Sequence, residues 1–308
     1  ARALARCRGV EAESDLKRFL ARNDLDVVCI TTPSGVRSEV ALPAAAAGKH
    51  LLCEKPLEVT PERADDIIRA CSEHGVTLAC VFQARTSPDV RRVKAALDAG
   101  IFGRLVLVDV QVPWYRTQEY YDSATWRGTW ALDGGGALMN QSIHGIDLML
   151  HLAGPPREAF AFCDTLTHVG VEVEDTAVAC LRFRNGALGT VTAGTGCGPG
   201  FPRRLELAGE QGGVVLEGDR LVRWAFREGH DPAWPASSGE GRAAGDGGRA
   251  PDAIGSQGHR VLIEDLTEAI LEGRPPMVSG EEGRRAVECI CGMYRSAREG
   301  RPHVFPET

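Results

Sequence analysis

Between residues 26 and 83 three short apolar runs, at 26–32, 50–54 and 77–83, are separated by helical patterns at 35–47 and 61–74. Runs this short and this apolar, each followed by turn formers, read as strands buried on both faces. Strands spaced by helices of about ten residues or more form βαβ units, in which the strands run parallel. No other feature of the chain narrows its fold as much. A further helix at 15–22 precedes the first strand. The helix at 61–74 is fully punctuated, with Thr60 as N-cap, Pro61 at the first helical position and Gly75 just past the end.

The second run ends abruptly, Leu51-Leu52-Cys53 giving way to Glu54-Lys55-Pro56. Pro56 cannot continue a ladder and fixes a turn, which leaves Glu54 and Lys55 at the carboxyl end of the strand, where open α/β sheets hold their ligands. Composition makes Lys55 informative, because only four of the 35 basic residues, Lys17, Lys49, Lys55 and Lys94, are lysines. Where arginine is the default, a lysine marks a place at which an amine must lose and regain a proton, which a guanidinium does not do. An ordinary solvated lysine is the competing reading. Thr31-Thr32-Pro33-Ser34, at the end of the first strand, offers hydroxyls and free N–H groups to ribose and phosphate oxygens, although any helix cap has that composition.

From Ser87 the pattern changes. A helix at 88–99 and an alternating strand at 104–113 lead to a polar, aromatic loop, and then Gly134-Gly135-Gly136 opens a helical pattern over 137–152. Strands follow at 159–165, 176–184, 187–195, 203–207, 213–217 and 221–226, with Asn185-Gly186 as a hairpin turn. Helices at 257–271 and 280–298 close the chain, and 228–257, without periodicity, reads as a mobile surface loop. The fold class is α/β. An incomplete Rossmann-type parallel sheet over residues 1–86 is followed over 87–308 by an α/β domain with a large, mostly antiparallel open sheet, its helical end at 257–308, serving substrate binding and oligomerisation. The first sheet reads as incomplete because no G-x-G-x-x-G turn precedes Asp26. The chain is expected to lack a first βαβ segment of roughly 30 residues, through shortening rather than natural loss of the cofactor, and so to bind a dinucleotide poorly.

A net charge of −7, a pI near 5.7 and the absence of a basic block exclude nucleic acid as a partner. No apolar run approaches the roughly 18 residues of a membrane span, and no signal-peptide pattern opens the chain, so no membrane partner and a cytoplasmic location are the expectation. The ten cysteines have no framework or zinc spacing and read as reduced thiols, with no metal.

Asn140, His144 and Asp147 stand at i, i+4 and i+7 of one helical pattern, which puts them on one face. An imidazole there suits acid/base work and a neighbouring amide suits a substrate hydroxyl; a buried structural histidine is the alternative. Trp126-Arg127-Gly128-Thr129 pairs a flat aromatic with a guanidinium, fit for an anion or a sugar or else a surface loop pinned by one tryptophan. In the open sheet Thr190, Thr192 and Gly194 share a face, as do Val178 and Cys180. That face either packs against another sheet or is covered by the terminal helices.

Together these stretches resemble the Gfo/Idh/MocA family, the glucose-fructose oxidoreductase and inositol dehydrogenase group. The resemblance is carried by TTPSG at 31–35, AGKHLLCEKP at 47–56, WRGTWALDGGGALMNQSIHGIDL at 126–148, VEDTAVACLRF at 173–183 and GRPPMVSGEEGRRAVE at 273–288. It implies bound NAD or NADP, hydride transfer to or from a hydroxyl carbon of a sugar, cyclitol or sugar derivative, and a homodimer or homotetramer formed through the open sheet. Lys55 matches the family's EKP lysine, which contacts cofactor and substrate and assists proton transfer. His144 matches the acid/base or substrate-binding histidine. Asn140 falls where many members carry Asp, and Arg37 where a histidine is frequent. The expected catalytic set is therefore Lys55, His144 and Asn140. The cofactor set is Thr31, Thr32, Pro33, Ser34, Glu54, Lys55, Trp126 and Arg127, and the substrate set is Lys55, Arg127, Asn140 and His144. Two other readings stay open, a non-catalytic sugar-binding or regulatory protein on the same fold and an NAD-assisted lyase or glycosidase.

Overall fold

The second and third strands are buried on both faces, whereas the first buries only one, with Val28 and Ile30 inside and Cys29 exposed, contrary to the two-sided burial expected of it. Ile30, Leu51 and Ile67 are at most 1% exposed. Fully burying a side chain of that size contributes about 1.5–3 kcal/mol. The computed structural model describes Ala5 and residues 7–230 and 256–307, and most of the patternless stretch at 228–257 lies outside the described residues. Helix α1 (Leu16–Leu20) precedes β1 (Val27–Ile30), α2 (Ser38–Ala46), β2 (His50–Cys53), α3 (Pro61–Glu73) and β3 (Leu78–Cys80). The three strands pair in parallel in the order β1-β2-β3, with Val28 opposite Leu51 and Leu51 opposite Leu78.

Two boundaries differ from expectation. The third strand stops at Cys80, and Gln83–Thr86 forms a 3₁₀ turn closed by Arg85 N–H on the Phe82 carbonyl at 3.1 Å. The helix expected over 35–47 begins as a separate turn at Ser34–Val36, because the Gly35 N–H leaves the helix to donate to the Leu132 carbonyl at 2.9 Å.

The second half contributes α4 (Pro88–Asp98), β4 (Leu105–Pro113), α5 (Gln118–Asp122), α6 (Ile143–Ala153), β5 (Pro156–Asp164), β6 (Thr176–Phe183) and β7 (Leu188–Gly194). It continues with β8 (Arg204–Gly209), β9 (Gly212–Glu217), β10 (Arg220–Phe226), α7 (Gln257–Glu272), α8 (Gly280–Glu299) and β11 (His303–Val304). Eight strands form one sheet in the order β10-β9-β8-β4-β7-β6-β5-β11, antiparallel throughout except for the parallel β4–β7 pair.

Alternation gives this sheet two unlike faces. Val110, Ala161, Ala179 and Val191 are buried. The Ala161 N–H donates to Ser296 Oγ of α8 at 3.2 Å, which places the last helix on this face. Phe162, Val178 and Leu188, at 69%, 45% and 50% exposed, lie on the other face with Thr190 and Cys180. Of the two readings of that face, cover by the last helix is thus excluded. The segment leading into α8 reaches the parallel sheet through Cys80 N–H on the Val278 carbonyl at 3.0 Å, and α8 itself meets α3 through an Arg284–Asp65 ion pair.

The helix expected as one unit over 137–152 is two. Ala137–Ser142 is a π-helical turn and α6 follows it. Glu174 accepts the Gly136 and Leu138 N–H groups at 3.0 and 2.7 Å, and the Tyr294 hydroxyl accepts the Met139 N–H at 3.3 Å. Donors that a helix start leaves orphaned are taken by side chains from elsewhere, and the first turn widens around them. Glycine is required at 136, where a Cβ would lie 1.8 Å from the Glu174 carbonyl oxygen. The widened turn changes the angular spacing on which a shared face for Asn140, His144 and Asp147 depended.

Candidate active site

The carboxyl ends of β1 and β2 open into a cavity lined by Thr31, Thr32, Pro33, Ser34, Arg37, Glu54, Lys55 and Pro56 from the parallel sheet and by Trp126 and Asn140 from the second half. Eight of the expected site residues, Thr31, Thr32, Pro33, Ser34, Glu54, Lys55, Trp126 and Asn140, therefore meet there. Arg127 stands beside Trp126, its guanidinium 4.7 Å from that ring centroid, and His144 lies deeper, outside the lining.

The Lys55 amine donates to the main-chain carbonyl of Asn140 at 2.8 Å. Burial pushes the Lys55 amine below its ordinary pKa. Glu54 opposes this, Arg37 reinforces it, Asp133 opposes and Arg116 reinforces, and the net direction is down. Glu54 accepts the Lys55 N–H at 3.0 Å and pairs with His259 at 3.4 Å. Burial alone would raise the Glu54 carboxyl, but His259 and Lys55 outweigh it and hold the carboxyl below its ordinary range. The cavity thus holds an ionised carboxylate next to an amine biased toward its neutral form.

Asn140 departs from its expected role. Its side-chain amide donates to Asp133, and its carbonyl oxygen accepts from Gln141 Nε2 at 3.1 Å. The group expected to meet a substrate hydroxyl is thus engaged at both ends, and what Asn140 presents to Lys55 is backbone. The chain of contacts extends through Gln141, whose Oε1 accepts from Arg116 Nε at 3.1 Å. Buried Asp133 also accepts the Gly128 N–H at 2.9 Å. Tyr120 lies between two guanidiniums, with Arg127 at 4.1 Å and Arg116 at 5.5 Å from its ring centroid, and its hydroxyl accepts from Gln141 Nε2 at 2.9 Å.

His144 is buried edge-on to the Phe82 ring at 5.8 Å, and its Nδ1 has no hydrogen-bond partner among the described residues. Burial pushes the imidazole well below its ordinary pKa, and Lys55, Arg203 and His259 add to the shift. It is a neutral acceptor at neutral pH. Asp147 turns away to pair with Arg85 at 2.6 and 2.9 Å.

Asp133, Gln141, Tyr120 and His259 stand around this cavity without a signal in the sequence, and Arg37 stood out there only as a departure from the family's frequent histidine. Asp133 directly precedes the glycine run, which was the available cue. His259 opens a helix that follows a stretch without periodicity.

The residues fit a nicotinamide nucleotide. The Thr32 hydroxyl, buried and unpartnered among the described residues, faces a cavity shared with the Ser34 turn and the Glu54 carboxylate, a donor and acceptor set suited to ribose hydroxyls. Among the described residues no group of three or more His, Cys, Asp and Glu could hold a metal ion, and no helix is long and apolar enough to cross a membrane.

A parallel βαβ sheet carrying a cavity at its strand ends, closed from one side by a large open sheet and its helices, is a two-part α/β architecture. Residues 1–82 match the oxidoreductase family with an NAD-binding Rossmann fold, and residues 90–215 match the GFO/IDH/MocA C-terminal domain. The WlbA dehydrogenase of Bordetella pertussis, solved in complex with NADH and UDP-GlcNAcA, is 33% identical, and the match covers 100% of this chain and 87% of that one with a TM-score of 0.85. The chain belongs to the GFO/IDH/MocA family of oxidoreductases. Levoglucosan dehydrogenase of Pseudarthrobacter phenanthrenivorans is 28% identical over 230 residues, a match covering 67% of this chain and 59% of that protein. Myo-inositol 2-dehydrogenase of Thermotoga maritima is 25% identical over 315 residues, covering 95% of this chain and 84% of that protein. The chain thus spans less than two thirds of the length of some of the curated relatives it matches.

Proposed function

We propose that this chain is an NAD(P)-dependent oxidoreductase that moves a hydride between the nicotinamide and a hydroxyl-bearing carbon of a sugar, cyclitol or sugar derivative. The observation that carries this reading is the Lys55 amine, held at 2.8 Å on the Asn140 carbonyl in a cavity built from both halves of the chain. The nicotinamide cofactor, when bound, supplies the hydride acceptor or donor. Lys55 takes the hydroxyl proton or returns it, since its surroundings bias the amine toward the neutral form that a base requires. Neutral His144, its Nδ1 unpartnered, accepts a substrate hydroxyl or relays that proton. Glu54 and the Thr31, Thr32, Pro33 and Ser34 turn hold the nicotinamide ribose, and Trp126 and Arg127 close the site over substrate and cofactor. Asn140 acts by fixing Lys55. On this reading residues 1–86 form the cofactor part and 87–308 the substrate part. The outward sheet face bearing Phe162, Val178 and Leu188 is the surface for self-association.

The test is to incubate the chain with NAD or NADP and a panel of sugars and cyclitols while following nicotinamide absorbance. Stoichiometric reduction with one substrate class supports the reading. Product without net cofactor turnover favours the lyase or glycosidase reading, and sugar binding without either favours the non-catalytic one.

A further inference from the structure

Among the groups lining the cavity, Arg37 has no role in the reading above. It is 4% exposed, and among the described residues it forms no ion pair. Its Nη2 donates to the main-chain carbonyl of Lys55 at 3.0 Å, while its Nε and Nη1 are buried without a hydrogen-bond partner among the described residues. Buried Arg85, by contrast, has Asp147 and Glu282 against it, and buried Arg203 has Asp219. A guanidinium taken out of water without a carboxylate costs stability. Burial depresses even the Arg37 guanidinium from its ordinary pKa, which reports how poorly this charge is solvated.

We propose that Arg37 is a positioning residue for Lys55, gripping the lysine by its main-chain carbonyl and placing beside the amine a buried positive charge that favours the amine's neutral form. This rests on the reading of Lys55 as the proton carrier. Five other charged or titratable groups act around that amine: Glu54 beside it and His259 paired with Glu54, Asp133 and Arg116 from the loops of the second half, and His144 from α6. Burial is the largest influence toward the neutral amine; Glu54 and Asp133 favour the charged form, and Arg37, ahead of Arg116, opposes them. A salt-bridged arginine would have its field cancelled by its own partner; Arg37 has no such ion pair among the described residues, although the Glu54 and Glu58 carboxylates act on it without one.

The chain's lysine count makes a direct measurement possible. Four lysines, labelled with ¹³C at Cε, give four NMR resonances, and Lys55→Arg assigns the one that matters. Titrated without cofactor or substrate, Lys55 is expected to deprotonate below Lys17, Lys49 and Lys94. Arg37→Gln, which keeps a donor for the Lys55 carbonyl but removes the charge, should move the Lys55 midpoint upward by more than the scatter of the other three. Glu54→Gln should move it downward. An Arg37→Gln protein that melts like wild type and leaves Lys55 unmoved overturns the proposal and leaves Arg37 a structural clamp. If Arg37→Gln does not fold, Arg37→Lys carries the test: with the charge kept, Lys55 must stay depressed, and a rise to the level of the other lysines overturns the proposal. Because no turnover is read, failure of the oxidoreductase reading would show in the substrate assay and not here.

Discussion

The Lys55 amine and the Asn140 carbonyl, 85 residues apart in sequence, meet at 2.8 Å and join the parallel sheet to the π-helical turn of the second half. Because the acceptor is backbone, the side chain at 140 is free to vary without releasing Lys55, provided Asp133 keeps a partner. Asn140→Ala should therefore retain the lysine's position and cost about 1–3 kcal/mol, the penalty for removing one donor from a buried carboxylate. Asn140→Asp should cost more, since it sets a second carboxylate against Asp133. One of the pair then titrates high, and the cost grows as pH rises and the shared proton leaves. Urea unfolding at pH 5 and pH 8 checks this, and an equal loss at both would contradict the Asn140–Asp133 contact.

Lys55→Met tests the chemistry itself. Removing a general base typically lowers turnover roughly 10²- to 10⁴-fold, while an uncharged side chain of similar length leaves the ribose contacts of Glu54 and the Ser34 turn in place. Cofactor affinity by calorimetry should stay within about tenfold. A loss confined to affinity would make Lys55 a binding residue only.

What the sequence made legible was what backbone geometry forces. Glu54, Lys55 and the Thr31–Ser34 turn could be placed because parallel strands carry their ligands at one end, and a strand of four residues has only one such end. Trp126 could be paired with them only through the family pattern. The π-helical turn was not readable, since a stretch of six residues, Ala137–Ser142, fits either winding. What decides between them is Glu174, 38 residues from Gly136. Asp133, Arg37 and His259 are ordinary polar residues in sequence, and their roles arise from which distant group the fold sets beside them.

His144 gives the acid side of the stability profile a sign. Its folded pKa lies below the ordinary 6.5, so below that pH the unfolded chain binds a proton that the folded chain refuses, and stability falls as pH falls. His151, pushed down to about 4 by burial, adds to the slope over the same interval. The slope is about 1.4 kcal/mol per pH unit for each fully linked group. His144→Asn should be relatively more stable at pH 5 than at pH 7.5 when denaturant midpoints are compared with wild type. Parallel profiles would mean that His144 takes up its proton in the fold as readily as in the unfolded chain.

Asp175 acts in the opposite sense. It accepts the Leu166 and Thr167 N–H groups at 2.8 Å, the His168 N–H at 2.9 Å and the Thr167 hydroxyl at 2.6 Å, and these outweigh burial and hold its carboxyl far below the ordinary range. The stability it provides is present above its unfolded pKa of about 4 and is lost as pH falls through the lower folded value. Asp175→Ala should cost about 3 kcal/mol or more, since several buried donors lose their acceptor together. It should also flatten the acid limb below pH 4. A cost under about 1 kcal/mol would show that water replaces the carboxylate.

At Gly35 the two halves meet backbone to backbone. Its N–H donates to the Leu132 carbonyl at 2.9 Å, and a Cβ built on it would lie 1.9 Å from the Ala131 oxygen. That distance is inside any allowed contact and the obstacle is backbone, so Gly35→Ala must push the Ser34 turn and the 131–132 loop apart. The Ser34 turn is a wall of the cavity, and the expected result is a loss of about 3 kcal/mol or more together with weakened cofactor binding. Gly48→Ala supplies the control. Gly48 has φ +71 with nothing within 4 Å of the added carbon, so its cost is conformational, about 1–2 kcal/mol, and local to the turn before β2. Thermal melts of the two variants separate the explanations. If Gly35→Ala costs no more than Gly48→Ala, the halves have room to part, and the cavity between them is not held shut by this contact.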